Sequence, residues 1–513
     1  MTEYVIGCDV GSQGTKAVLL SLDGILSGEA SESYGIDYPH QLWAEQPVSR
    51  WTTAVATAIR RLLAETGVRP EQVHGLGLAT QVDGVVPVDR DGQALRPAII
   101  WMDRRATAQC DAVGRAIGRE RALELTGLNL DATHVAPKIL WIAETEPEVS
   151  ARAVHFLLPG SYLAYHLTGE IAVDYSNASS TLLMDVRTRS WSSEMCELFA
   201  VDSERLGRID AATAPLGTLR PSAAEALGLR PETVVVVGCG DEHAACLGAG
   251  VVRPGLVGDI AGTAEPVCAA SPTPRIDPSG LVETHCHGDP DLWLLENPGF
   301  VSGGNLRWYR DHFGHWEMQT AAEQGVSPYA LLDAGAAQIA PGADGMIFLP
   351  CLMGAMAPTW NDTARGTFFG FTLAHTRSHF TRAVLEGSAY AVRDITDQMR
   401  AIGLQLDELR VMGGGARSRL WNQIKADVTG LPVTVPQTTE TTALGGALLA
   451  LVGLGAYKTL SEACNQVVRV ADTYEPRPGV QAAYDELYHL YREVYFSLLP
   501  VFSRAAGLGQ KAA

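Results

Sequence analysis

Strands and helices alternate along this chain, and the alternation begins twice. The sequence therefore predicts an α/β protein of two lobes. Length agrees, since 513 residues exceed the roughly 250–300 at which a single core stops growing. Composition agrees too. With 46% hydrophobic and 19% charged residues, the chain can bury a large core and is unlike a disordered one.

The first cycle opens with an apolar run, YVIGCD at 4–9, then a glycine-rich turn, GSQGT at 11–15, then a second run, KAVLLSL at 16–22. Asp23-Gly24 is a hairpin signal, and 25–33 supplies a third strand. Residues 47–66 carry Trp51, Val55, Ile59 and Leu62 at helical spacing. Strands are expected at 73–79 and 84–89, with Asp91-Gly92 turning the chain toward another at 99–101.

The second cycle starts at 233–237, TVVVV, which runs into GCGDEHAA and a small-residue helix. From about Gly255 the order strand, Gly-Thr turn, strand, hairpin returns through 256–270, 281–286 and 292–296. This reads as an internal structural duplication. It predicts one lobe over 1–249 and a second over 250–513, with helices at 478–506 closing the chain.

Charge excludes some partners. Lys and Arg total 39 against 58 Asp and Glu, a net −19. Nucleic-acid phosphates need clustered cations, so no nucleic acid is expected. A small anionic substrate in an amide-lined pocket stays open. The N-terminal MTEYVIGCDVG lacks the basic and apolar regions of a secretory signal. The longest uncharged apolar stretch, 443–457, is shorter than the ~20 residues of a membrane span. Nine scattered cysteines without C-x-x-C read as free thiols in a reducing cytoplasm. A cytoplasmic protein with no membrane partner is expected. In His285-Cys286-His287, strand alternation sends the histidines to one face and the cysteine to the other, so no metal is predicted there.

The common nucleotide fingerprints are missing. No Gly-Lys dipeptide allows a Walker A loop, and no G-x-G-x-x-G opens a helix after a strand. G-x-S-x-G and H-E-x-x-H are absent as well. What remains is three glycine-rich turns, each after a strand. In Asp9-Val10-Gly11-Ser12-Gln13-Gly14-Thr15-Lys16, inward amides, hydroxyls and a lysine suit phosphate oxygens. A carboxylate at Asp9 facing those phosphates needs a cation between, which implies Mg²⁺. Ile260-Ala261-Gly262-Thr263-Ala264 is small enough for close approach to a phosphate. Met412-Gly413-Gly414-Gly415-Ala416-Arg417-Ser418 leaves room for a flat ring on backbone, with Ser418 and Asn422 as polar contacts.

Asp241, set among glycines and small residues, reads as a general base or as a helix cap. Gln81, Asp83 and Asp103 stand beside predicted strands and can hold sugar hydroxyls; turn chemistry and a helix cap are the alternatives for them.

These motifs, in this order, resemble the FGGY carbohydrate kinases, and among them the pentulose kinases of the xylulokinase type. The likeness runs from about Val5 to Ala456. It includes D-x-G-S-x-x-T-K at the first turn, Ala44-Glu45-Gln46-Pro47 with Trp51, and the middle region 159–185. It continues through Asp241, Gly262-Thr263, the segment from Arg365 to Glu386, and Gly413-Gly414-Gly415-Ala416-Arg417-Ser418. The resemblance implies two actin-like, ribonuclease-H-like lobes around an ATP–sugar cleft. It implies Asp241 as catalytic base, aided by Lys16, and an acceptor held by Gln81, Val82, Asp83, Asp103 and Asp241. It implies ATP on Gly11, Ser12, Gln13, Thr15, Lys16, Gly262, Thr263, Gly303, Gly414, Gly415, Ser418 and Asn422, with Mg²⁺ at Asp9.

The expected reaction is phosphorylation of a primary hydroxyl of a pentulose, D-xylulose to D-xylulose 5-phosphate. A polyol kinase acting on glycerol, erythritol or xylitol stays open, as does a non-transferring actin-like ATPase and a homodimeric assembly. Asp83 departs from the xylulokinase pattern, which has histidine there. His243 and Glu242 follow the base where smaller or amide residues are common.

Overall fold

The YVIGCD run forms strand β1 (Tyr4–Val10), and its glycine turn returns the chain antiparallel as β2 (Gly14–Ser21), which pairs with β3 (Leu26–Ser33). Helix α1 (Val48–Thr66) buries Trp51, Val55, Ile59 and Leu62 on one face and ends at Gly67, whose φ of 68° closes the last turn. Strand β4 (Val73–Thr80) lies parallel to β1, on the side away from β2. Then come β5 (Pro215–Thr218), β6 (Val234–Val236) and the two-residue β7 (Cys239–Gly240), which extends onto the end of β4. The sheet order is β5-β6-β4-β1-β2-β3. Helix α2 (Asp241–Gly248) follows β7 directly.

The computed structural model describes residues 2–509, which divide into two compact units. The first holds this sheet and everything up to Arg253. It also holds two later segments, Ala270–Leu295 and Glu440–Val468. The expected cut at 249/250 lies close to the first crossing at Arg253, yet these two segments belong with the first unit. The second segment contains the helix Thr441–Gly453, the apolar stretch singled out above. It packs on the first sheet backbone to backbone. A Cβ on Gly7 would lie 2.0 Å from Ala443 O, one on Gly77 1.9 Å from Gly446 O, and one on Gly445 2.0 Å from Ala244 O. Glycine at all three positions lets this helix clamp both the sheet and α2. Among the described residues no helix is long and apolar enough to cross a membrane. All nine cysteines are buried thiols.

The second unit repeats the plan. Strand β8 (Gly255–Ile260) pairs antiparallel with β9 (Ala264–Ser271), which neighbours β10 (Trp293–Val301). Helix α3 (Gly303–Phe313) follows β10, and the long α4 (Arg377–Ala401) precedes β11 (Leu406–Met412), parallel to β8. Helix α5 (Arg419–Thr429), β12 (Val433–Pro436), β13 (Val470–Tyr474) and α6 (Pro478–Gly509) complete it. The order β10-β9-β8-β11-β12-β13 matches β3-β2-β1-β4-β6-β5 strand for strand. In each sheet the first strand has an antiparallel partner on one side and a parallel one on the other. The duplication read from the sequence is thus a duplication of topology.

Candidate active site

In the first unit, β1, β4 and β7 run parallel and end together. Val10 pairs with Thr80, and Gly240 pairs with Thr80 as well. The residues just past these ends are the glycine turn 11–15, Gln81–Asp83 and Asp241. Carboxyl ends of parallel strands are where open α/β sheets bind ligands.

Asp9 and Lys16 are register partners across β1 and β2. Asp9 is half-buried, and burial pushes its carboxyl up to about 7; Lys16 opposes this and Glu440 adds to it. Lys16 Nζ lies 2.6 Å from Glu440 Oε2. Asp241 is the first residue of α2 and accepts from its neighbour Glu242 N at 3.0 Å. Burial, then the charges of Glu242 and Asp9, hold its carboxyl well above the usual range. A carboxylate in that state is a strong proton acceptor. Gly240 N donates to Ser176 Oγ, and a Cβ on Gly240 would meet Val82 Cγ1 at 2.7 Å. Asp241 is therefore fixed beside the strand end that carries Asp83.

The turn is braced from several sides. Tyr34 Oη donates to Gly11 O at 2.6 Å, Gln46 Nε2 to Ser12 O at 2.7 Å, and Trp101 Nε1 to Ser12 Oγ at 2.7 Å. Gly14 is required by packing, because a Cβ there would lie 2.8 Å from Glu32 O. At Gly11 the nearest atom would be Asp9 Oδ1 at 3.7 Å. Gln13 is exposed and Thr15 buried.

Two expected acceptor contacts have other duties. Gln81 is 1% exposed, and its amide donates to Gln46 Oε1 and Gly11 O. Asp103 is fully buried; its oxygens accept from Ala44 N, Arg105 N and the Arg105 guanidinium. Asp103 thus ties a loop together rather than offering an open oxygen.

In the second unit, the turn after β8 leaves Thr263 exposed and Gly262 half-buried. Ser302 N and Gly304 N donate to Thr263 O, and Gly303 N donates to Gly262 O. A Cβ on Gly303 would lie 2.3 Å from Gly262 O. Gly303 therefore supports the turn, and its amide is not open to a ligand. After β11, Gly413 takes φ 80° and Gly415 N donates to Ala261 O. The two glycine turns of this unit are thereby joined. Gly414 is exposed with nothing within 4 Å of a Cβ, whereas a Cβ on Gly415 would meet Ala261 Cβ at 2.7 Å. Ser418 caps α5 by accepting from Trp421 N. Asn422 is fully buried and donates to Ala416 O at 2.8 Å. Both shape the turn from behind; Ser418 is half-exposed and Asn422 Oδ1 has no hydrogen-bond partner among the described residues, so neither is closed to a nucleotide.

The sequence matches the N-terminal domain of the FGGY family of carbohydrate kinases over residues 4–248 and its C-terminal domain over 260–454. It is 32% identical to the xylulose kinase of Escherichia coli, covering 97% of this chain and 100% of that protein. The chain belongs to the FGGY family of carbohydrate kinases. As an FGGY kinase it is an ATP-dependent phosphotransferase acting on a small-molecule sugar. Another relative, the gluconokinase of Bacillus subtilis, is 28% identical over 98% of this chain and 95% of that one. The solved xylulose kinase of Rhodospirillum rubrum superposes with a TM-score of 0.88 at 29% identity, over 98% of this chain and all of that one. The two-lobed actin-like architecture expected of the family is thus shared with solved family members.

Several residues of this FGGY kinase's site escape motif reading. Glu440, beside Lys16, precedes an apolar helix far along the chain; an acid before a helix start is its one local signal. His134, with its Nδ1 3.4 Å from Asp83 Oδ1, and the buried Lys138, which donates to Asp83 O at 2.6 Å, stand just before and inside the helix Val135–Thr145, which carries none of the motifs above.

Proposed function

We propose that the protein transfers the γ-phosphate of ATP to the primary hydroxyl of D-xylulose, forming D-xylulose 5-phosphate. The observation that carries the transfer chemistry is the shared end of β1, β4 and β7, where Asp241 stands beside Val82 and Asp83. The substrate choice is supported by curated relatives named xylulose kinase that align over nearly the whole chain.

In this reading the acceptor lies against Asp83 and Val82. Asp241 takes the hydroxyl proton as the oxygen attacks phosphorus in line. In the first unit, Lys16, Thr15 and the amides of Ser12 and Gln13 spread the charge that develops on the phosphoryl oxygens, the Gly11 amide being held by Gly14 O. In the second unit, Thr263 belongs to a phosphate turn of the same kind, whose Gly262 amide closes the turn itself. Gly414 and Gly415 form the platform for the adenosine. Asp9 fits a hard divalent cation, because its carboxylate ends β1 beneath the Gly11 turn and such a cation pairs one or two carboxylates with phosphate oxygens and water. Mg²⁺ held there would neutralise phosphate charge.

A second reading, a polyol kinase, is favoured by one feature. The Asp83 carboxylate accepts hydrogen bonds and cannot itself donate to a ketone. A coupled ADP-release assay over D-xylulose, other ketoses, glycerol, erythritol, xylitol and gluconate separates these. D-xylulose should give the highest kcat/KM. A polyol or gluconate exceeding it overturns the substrate, and ADP release indifferent to every sugar overturns the transfer itself.

A further inference from the structure

Asp83 is held in an uncommon way. Its φ is 58°, in the left-handed region, where aspartate is among the few side chains tolerated. Its backbone carbonyl accepts from Lys138 Nζ, and the same ammonium donates to Thr133 O. The loop before the helix Val135–Thr145 is thus stapled to the loop after β4. That loop is itself rigid. Thr133 N and Oγ1 donate to Asp131 Oδ1, and Arg104 grips Asp131 through two bonds of 2.9 and 2.8 Å. The residue it delivers is His134, 5% exposed, with Nδ1 3.4 Å from Asp83 Oδ1.

Only one ring nitrogen of His134 is engaged. Among the described residues Nε2 has no hydrogen-bond partner, and it is not among the sealed polar atoms. Burial alone would push this imidazole down. The charge and hydrogen bond of Asp83, with Glu283 and Asp131 beyond, outweigh burial and raise it to about 9. A protonated imidazole carries a donor on each nitrogen. The acceptor-only Asp83 therefore comes with a donor at its side.

We propose that Asp83 and His134 form one recognition unit for the α-hydroxyketone of a ketose, Asp83 accepting from a hydroxyl and His134 Nε2 donating to the adjacent ketone oxygen. The proposal rests on the reading of this kinase as acting on a pentulose. It removes the argument from Asp83 toward polyols, because the missing donor is supplied by a different loop. A polyol in the same place presents a hydroxyl oxygen to His134, which accepts that bond but must then place its own proton on a second acceptor.

The test compares D-xylulose with xylitol as acceptors at saturating ATP. His134→Gln should lower kcat/KM for D-xylulose on the order of tenfold or more, the loss of a charge-assisted hydrogen bond. Most of that should fall on KM. The ketose-to-polyol ratio of kcat/KM should drop at least about tenfold. Should the single variant not fold, the double variant Asp83→Asn with His134→Gln leaves no unpaired buried charge, and its ratio should drop likewise. An unchanged ratio in either folded variant overturns the proposal alone. Wild-type protein that phosphorylates neither acceptor overturns the pentulose reading, and this proposal with it.

Discussion

Gly240 and Val82 approach so closely that a Cβ on the glycine would fall 2.7 Å from Val82 Cγ1. The consequence lies one residue further along each strand. Asp241 begins α2 there, and Asp83 turns through a positive φ there. Two chain segments far apart in sequence thereby present a proton acceptor and a polar acceptor-binding group at a common strand end. The clamp from the helix Thr441–Gly453 holds α2 in that position.

Asp241→Asn tests the base. The amide keeps shape and removes the proton acceptor, so kcat should fall by about 10²–10⁴-fold. ATP binding by calorimetry should persist, because Asp241 and Asp9 repel one another and loss of one charge does not weaken a phosphate site. A variant with near-normal kcat removes Asp241 from the chemistry.

Gly414→Val tests the adenosine platform. Gly415 is unsuitable for this, since any Cβ there strikes Ala261 and damages the protein itself. Gly414 is open on all sides and outside the left-handed region, so valine there meets only what binds. Overpacking costs about 1–3 kcal/mol, or roughly 5- to 150-fold in Kd for ATP. Unchanged affinity in calorimetry, with an unchanged unfolding midpoint, takes the turn out of the site.

Much of this was legible in the sequence, for a physical reason. Strand periodicity and glycine turns are local, so β1, β2, β3, α1 and the three turns follow from neighbouring residues. Residue type also marks Asp241 as chemistry in a tight setting. It does not say where a polar side chain's hydrogen bonds go. Asp103 looks like a binding residue and its oxygens are taken by Ala44 N and Arg105, whereas Asn422 and Gln81 donate through their amide nitrogens to Ala416 O and Gln46 and keep a buried carbonyl oxygen without a partner among the described residues. The converse holds for Glu440 and His134, whose partners Lys16 and Asp83 arrive from remote segments. Likewise the return of Ala270–Leu295 and Glu440–Val468 to the first unit is a property of tertiary packing that no local pattern encodes.

Lys425→Met tests an ionic core under the second unit's sheet. Lys425 is 1% exposed and pairs with the fully buried Asp259, at 2.6 Å, and Glu265. Removing the cation strands two buried carboxylates, at a cost of about 3–5 kcal/mol. Replacing all three with apolar side chains of similar volume should recover most of the loss. Urea unfolding midpoints read both effects. A single variant as stable as wild type shows that the triad is not holding α5 to β8 and β9.

His134 gives the fold a pH dependence of definite sign. Its imidazole is raised to about 9 in the folded chain, against an ordinary value near 6.5. A raised group stabilises fully below its unfolded value and loses that contribution as pH climbs through the folded one. The window is therefore about 6.5 to 9, and the amount is on the order of 3 kcal/mol. The facing charges are Asp83, Glu283 and Asp131, with the Lys138 ammonium, itself drawn down to about 8 by burial, between the two loops. Lys138 loses its proton across part of the same window, so wild-type data alone would mix the two groups. The difference between wild type and His134→Gln isolates the imidazole. The gap between their unfolding midpoints should be widest near about pH 6 and should shrink steadily toward about pH 9.5. A gap that stays constant across that range would mean a neutral His134, and the buried ion pair with Asp83 would have to be given up.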